Sequence, residues 1–237
     1  MLAVFFIVKI MTLQELINLL STMYDADTEV LSSTDDDYKI RLAHLNAAIN
    51  VWSSQELWRE LLVVPLSEET TNGTDKQFQL PADFKEMCGS VRLYSTTTGS
   101  VYYKQIDPTS VQAYDNNINA RKYYISGNYS DGFYLNFLTA PTTGLTIKYE
   151  YYKEPTKLVS PTDVIEMADP MFAIYFTLSR LYESDGATSK SLKSYQEAMA
   201  TMETMVQKNN TLGFLQINGI PDPDYFSGDE SCSGFGY

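Results

Sequence analysis

The chain has 237 residues, 44% of them apolar and 13% aromatic, which suits one large or two small folded domains and excludes an intrinsically disordered polymer. Thirty acidic residues against seventeen basic ones give a formal charge of −13, and no basic run interrupts the excess. Direct duplex binding is therefore not expected, because it rests on Lys and Arg neutralising phosphates. An acidic wall that DNA slides past without sticking remains compatible with this charge.

The two cysteines, Cys88 and Cys232, make no C-x-x-C pair and no disulfide framework, which points to reduced thiols and a cytosolic origin. Eighteen tyrosines fit either sheet surfaces or protein interfaces, since Tyr buries a ring while keeping a polar tip. The opening MLAVFFIVKI has no basic residue ahead of its apolar stretch and no small-residue cleavage site after it, and it is too short to span a bilayer. Residues 1–11 are read as an N-terminal extension.

Two helices are expected over 12–58. Thr12-Leu13-Gln14-Glu15 is a capping-box pattern, opening a helix over Leu13–Tyr24 with Leu13, Leu16, Ile17, Leu20 and Tyr24 on one face. Thr34 and the run Asp35-Asp36-Asp37 mark the next helix start, where acidic groups complement the dipole. Tyr38, Leu42, Leu45, Ile49 and Trp52 then form an amphipathic stripe.

Beyond Trp58 the period changes. Over 59–155, strands are predicted near Leu61–Val64, Phe78–Leu80, Ser90–Tyr94, Val101–Ile106, Lys122–Ser126, Phe133–Leu138 and Leu145–Tyr152. Gly99-Ser100, Gly127-Asn128, Asp131-Gly132 and Thr143-Gly144 punctuate them as hairpin-type turns, and Thr70–Thr74 reads as a turn or loop. The region is thus a mostly antiparallel sheet or small sandwich inserted into a helical frame.

Helices return over 156–209. Asp169-Pro170 reads as a cap followed by proline at the first helical position, and Met171–Tyr182 is apolar almost all round, as a buried central helix would be. Gly186 supplies a stop. A last helix over Ser189–Gln207 would bury Leu192, Tyr195, Met199, Met202 and Val206, with the methionines Met199, Met202 and Met205 as core filler. Residues 210–237 are rich in Gly, Pro, Ser and Asp and carry the spaced aromatics Phe214, Tyr225, Phe226, Phe235 and Tyr237. They read as a tail, either disordered or, the reading preferred here, an extended arm whose aromatics anchor on a neighbour. The fold class is accordingly α+β: a four-helix frame, an inserted antiparallel sheet and an extended C-terminal tail.

No catalytic, cofactor or metal site is expected. His44 is the only histidine and lies within a helix, so no second histidine can complete a metal cluster and any nucleophile–histidine pair would have to use this residue. The carboxylate runs Asp35-Asp36-Asp37, Glu68-Glu69 and Asp222/Asp224 fall in caps, turns and the tail, where they read as solvated groups. Phosphate-binding glycine loops are absent, and Asp222-Pro223-Asp224 lacks the rest of a calcium loop.

Three stretches carry a resemblance. They are Leu42–Val51 leading into Trp52 and Glu56-Leu57-Trp58; Phe78-Gln79-Leu80-Pro81-Ala82-Asp83-Phe84; and Leu145 to Pro155, continuing through Leu158 to Ala168–Tyr182. Together they resemble the head-to-tail adaptor (connector, or head-completion) proteins of tailed double-stranded DNA bacteriophages, especially the short-tailed type. The resemblance implies a non-enzymatic structural virion protein, assembled in the host cytoplasm and placed at the head-to-tail interface. It further implies a homo-oligomeric ring, dodecameric in the family, that joins the portal protein to a downstream tail or nozzle protein. Packaged DNA would pass through this ring on ejection without specific binding, and Phe214, Tyr225, Phe226, Phe235 and Tyr237 would form a portal-docking arm. Two other readings compete: a carbohydrate- or receptor-binding tail module that uses exposed tyrosines, and a hydrolase with carboxylates from the β-region.

Overall fold

The computed structural model describes residues 11–26, 30–65, 69–114 and 121–217. The chain divides into two compact units: a helical one built from the residues up to Glu60 together with Pro155–Ile217, and a β unit over Leu61–Glu154.

In the helical unit, α1 spans Leu13–Tyr24 and α2 spans Asp36–Gln55. Both halves of the expected capping box are present. The Glu15 amide donates to the Thr12 hydroxyl, and the Thr12 amide donates to the Glu15 carboxylate at 2.8 Å. The α2 stripe is buried at Tyr38, Leu45, Ile49 and Trp52. Leu42 is only half-buried, and the fully enclosed member of its turn is Arg41. A guanidinium can replace an aliphatic side chain there because the Ser21 hydroxyl and the Asp25 carboxylate accept its hydrogen bonds.

Just past α2 the chain turns back on itself. The Trp58 ring stacks on Trp52 at 5.2 Å, and its indole N–H donates to the Trp52 carbonyl at 2.7 Å. A free carbonyl at the helix end is thereby satisfied.

Helix α3 covers Met171–Ser184 and buries Phe172, Ala173, Ile174, Phe176, Thr177, Leu178, Ser179 and Leu181, as an apolar central helix should. Pro170 occupies the N-cap itself rather than the first helical position, with the Asp169 carboxylate accepting from the Met171 amide at 3.1 Å. Gly186 takes φ +72° and ends the helix.

Helix α4 runs from Thr188 to Ile217, which corrects two expectations. Its last turns pass the boundary read at Asn209, so residues 210–217 are helical rather than extended. The Asn209 side chain is one reason: its Nδ2 donates to the Leu57 carbonyl and its Oδ1 accepts from the Arg59 amide, so this residue holds the helix instead of ending it. The buried face is also rotated. Ala198, Met202 and Met205 are buried, whereas Leu192 and Tyr195 are exposed and Met199 and Val206 half-buried. One small residue, Ala198, and two flexible methionines, Met202 and Met205, face inward.

The stretch between the units' last strand and α3 is an ordered strap. The Leu13 and Gln14 amides donate to the Asp163 and Pro161 carbonyls, and the Asn46 carboxamide both accepts from and donates to the backbone of Leu158. One half of the helical unit is thus tied to the other by backbone pairing and a single amide side chain.

The β unit holds one seven-stranded sheet: β1 (Leu62–Val63), β2 (Gln77–Gln79), β3 (Phe84–Ser95), β4 (Gly99–Gln105), β5 (Lys122–Asn128), β6 (Gly132–Phe137) and β7 (Thr146–Lys153). Their order across the sheet is β1-β7-β3-β4-β5-β6-β2, and only the short β4–β5 pairing is parallel. The long strand β3 is the spine, beginning several residues before the expected Ser90 and bulged between Cys88 and Arg92 against β7. Cys88, read from sequence as a reduced thiol, is buried and disulfide-bonded.

The Phe84 ring on β3 meets Phe133 on β6 at 5.5 Å. In a flat sheet those strands would stand three spacings, about 14 Å, apart. The sheet therefore curls around its core, which contains Leu80, Val91, Leu93, Tyr123, Leu135, Phe137, Ile147 and Tyr151.

Candidate interaction surfaces

Among the described residues, no cluster of three His, Cys, Asp or Glu side chains could hold a metal ion. His44 is half-buried in α2, and burial together with the nearby Arg180 charge lowers its pKa. Asp35 is the N-cap of α2, with Asp36 and Asp37 exposed in the first turn. Glu69 lends its carbonyl to the Ile147 amide, while Glu68, Asp222 and Asp224 lie outside the described residues. Of the expected docking aromatics, Phe214 falls within the last turns of α4, and Tyr225, Phe226, Phe235 and Tyr237 lie outside the described residues.

What the structure does assemble is a set of contact surfaces. In the β unit, two of the sequence landmarks prove to be neighbours. The turn after β2 has the Phe84 amide donating to the Pro81 carbonyl, and Asp83 then grips the closing strand. Its carboxylate accepts from the Tyr151 hydroxyl at 2.9 Å, and its carbonyl from the Glu154 amide at 2.7 Å. Burial and the Asp83 charge both push the Tyr151 pKa up. The Leu-Pro-x-Asp-Phe turn and the strand ending at Glu154-Pro155 are therefore two sides of one joint.

The register also places like charges opposite each other: Arg92 on β3 faces Lys148 on β7, and Lys104 on β4 faces Lys122 on β5. Directly opposed like charges disfavour pairing. Tyr94 shields one of them, with the Lys148 ammonium 4.8 Å from its ring centre. Exposed tyrosines complete the surface: Tyr102 on β4 and Tyr129 at the β5–β6 turn, where the Tyr129 hydroxyl donates to Glu154.

In the helical unit, one end carries a polar knot that sequence reasoning missed. Tyr24 stacks near Tyr182 at 5.1 Å and donates its hydroxyl to Asp185, while the Tyr182 hydroxyl donates to the Met23 carbonyl at 3.3 Å. Desolvation, reinforced by the Asp185 carboxylate, pushes the Tyr24 pKa up to about 12. Along α4, the exposed residues Leu192 and Tyr195 are followed by half-buried Met199 and Val206 in a partly exposed apolar strip. No helix of the described residues is long and apolar enough to cross a membrane.

Comparison with known proteins accords with this geometry of contacts. No curated protein matches the chain. Residues 11–213 match the SU10 adaptor protein family, a span that takes in both units. The chain belongs to this family of phage head-to-tail adaptors, and its role is that of a structural protein of the virion at the head–tail junction, associated with portal and tail proteins.

Proposed function

With that membership as the starting point, we propose that the chain assembles into a closed ring, dodecameric as in the resemblance above, that joins the portal to the tail and surrounds the path of the DNA. The observation that carries this reading is the family match running from Met11 through the helical frame, across the β unit and back to α4. The chain carries a formal charge of −13, so a ring of such subunits would repel the duplex rather than retain it. The tyrosine-rich β unit is assigned to the next tail component or nozzle. The C-terminal arm, with Phe214, Tyr225, Phe226, Phe235 and Tyr237, is assigned to the portal. Its base is helical up to Ile217. Assembly takes place in the host cytoplasm, before the tail is attached.

The test is to incubate the purified chain with its phage's own portal and image the products. Rings stacked on the portal support the reading. A chain that stays unassociated with portal at micromolar concentration contradicts it.

A further inference from the structure

We propose that neighbouring copies pack head-to-tail, the outward strip of α4 on one copy lying parallel against the outward face of α2 on the next. The inference rests on the ring reading above and names the helices that would build it.

Three observations point to this pair. First, the start of α4 turns two large apolar side chains away from its own unit: Leu192 is 57% and Tyr195 43% exposed. Buried against α3 instead are Ala198, Met202 and Met205. Second, α2 also packs on α3, and its outward face is a row of smaller groups, Ile40 at 48% exposure followed by exposed Ala43 and Ala47. Large residues on one helix and small ones on the other are the complement that lets ridges enter grooves. Third, the charges at the helix starts favour the parallel orientation, even with Lys39 paired to Asp36. The first turn of α2 is acidic, with Asp36 and Asp37, and the first turns of α4 are basic, with exposed Lys190 and Lys193. Parallel packing brings these turns together while aligning Ile40, Ala43 and Ala47 with Leu192, Tyr195 and Met199.

A pairing that each copy makes once with each neighbour, through two different faces, is heterologous. It propagates from copy to copy and closes only as a ring. An α4–α4 pairing would instead oppose lysines or bury the strip antiparallel, leaving the acidic turn of α2 unanswered.

The experiment mixes a Lys193→Cys chain with an Asp37→Cys chain on the phage's own portal under mild oxidation, with each single variant as control. The expected result is a cross-linked pair that forms in the mixture and in neither single variant. In a second arm, Leu192→Asp with Tyr195→Asp leaves the thermal unfolding of the free chain unchanged but abolishes rings. Lys193→Glu weakens association about tenfold, and adding Asp37→Lys restores it. Symmetric cross-links in the Lys193→Cys chain alone, or rings that form normally with both aspartates present, overturn the α4–α2 interface while leaving the ring reading intact. If the unmodified chain forms no ring on the portal, the ring reading fails and this interface fails with it.

Discussion

Enclosed beside α1, the Arg41 guanidinium donates to the Ser21 hydroxyl and to Asp25, whose carboxylate is 2.6 Å away and 41% exposed. Removing the carboxylate leaves a buried cation with a single neutral acceptor. Asp25→Ala should therefore destabilise the chain by about 1–2 kcal/mol, between the ranges for exposed and fully buried pairs, read as a lower urea midpoint with an unchanged slope. A midpoint equal to wild type would show that Ser21 alone suffices. The neighbouring Tyr24 gives a pH signature. Its folded pKa of about 12 lies above the ordinary 10.0, so the unfolded chain loses the phenolic proton first. This contribution is complete below pH 10 and is lost as the pH rises from 10 to 12. Tyr24→Phe should shed that alkaline loss, followed by urea unfolding at stepped pH. The sequence placed Tyr24 on the apolar face of its helix but showed neither its Asp185 partner nor the Arg41 contacts. Arg41 sits one position from the apolar stripe and reads as surface, because its two acceptors come from another helix.

Local chemistry is most visible at the scale of elements. The capping box of α1 was readable because both partners lie within four residues, and Thr12→Ala should cost about 1 kcal/mol in thermal unfolding. The β5–β6 hairpin was readable from its paired glycines, and the reason is now geometric. Gly127 holds φ +111°, and a Cβ there would fall 2.1 Å from the Gly132 carbonyl oxygen. Gly127→Ala should therefore disrupt this hairpin and cost more than the 1 kcal/mol typical of glycine replacement, measured by calorimetry. The phase of α4 was not readable. Leu192 and Tyr195 are more apolar than Ser194 and Ala198, so periodicity assigned them inward. Packing on α3 instead buries Ala198, Met202 and Met205, a choice set by a partner helix that pattern counting does not see. The strap over 155–167 was missed for the same reason, since Asn46 recognises its backbone across more than a hundred residues of sequence.

The molecule as a whole is a helical unit interrupted by a curled sheet, and this alternation was legible because the hydrophobic period switches from helical to two and back. Its function was less so. Nothing in a strip such as Leu192-Tyr195-Met199 distinguishes core from interface until the helix phase is known, and the landmarks around Pro81 and Pro155 gained meaning only when Asp83 was found gripping Tyr151 and Glu154. If the C-terminal arm grips the portal, a chain ending at Ile217 should keep the far-ultraviolet circular dichroism and unfolding midpoint of the helical unit while losing portal binding in co-sedimentation. Binding that survives the deletion would remove the arm from the account. The most direct measurement is cryo-electron microscopy of the full chain mixed with its phage's portal. The account predicts a closed ring seated on the portal with an open central channel; isolated monomers beside bare portals would contradict it.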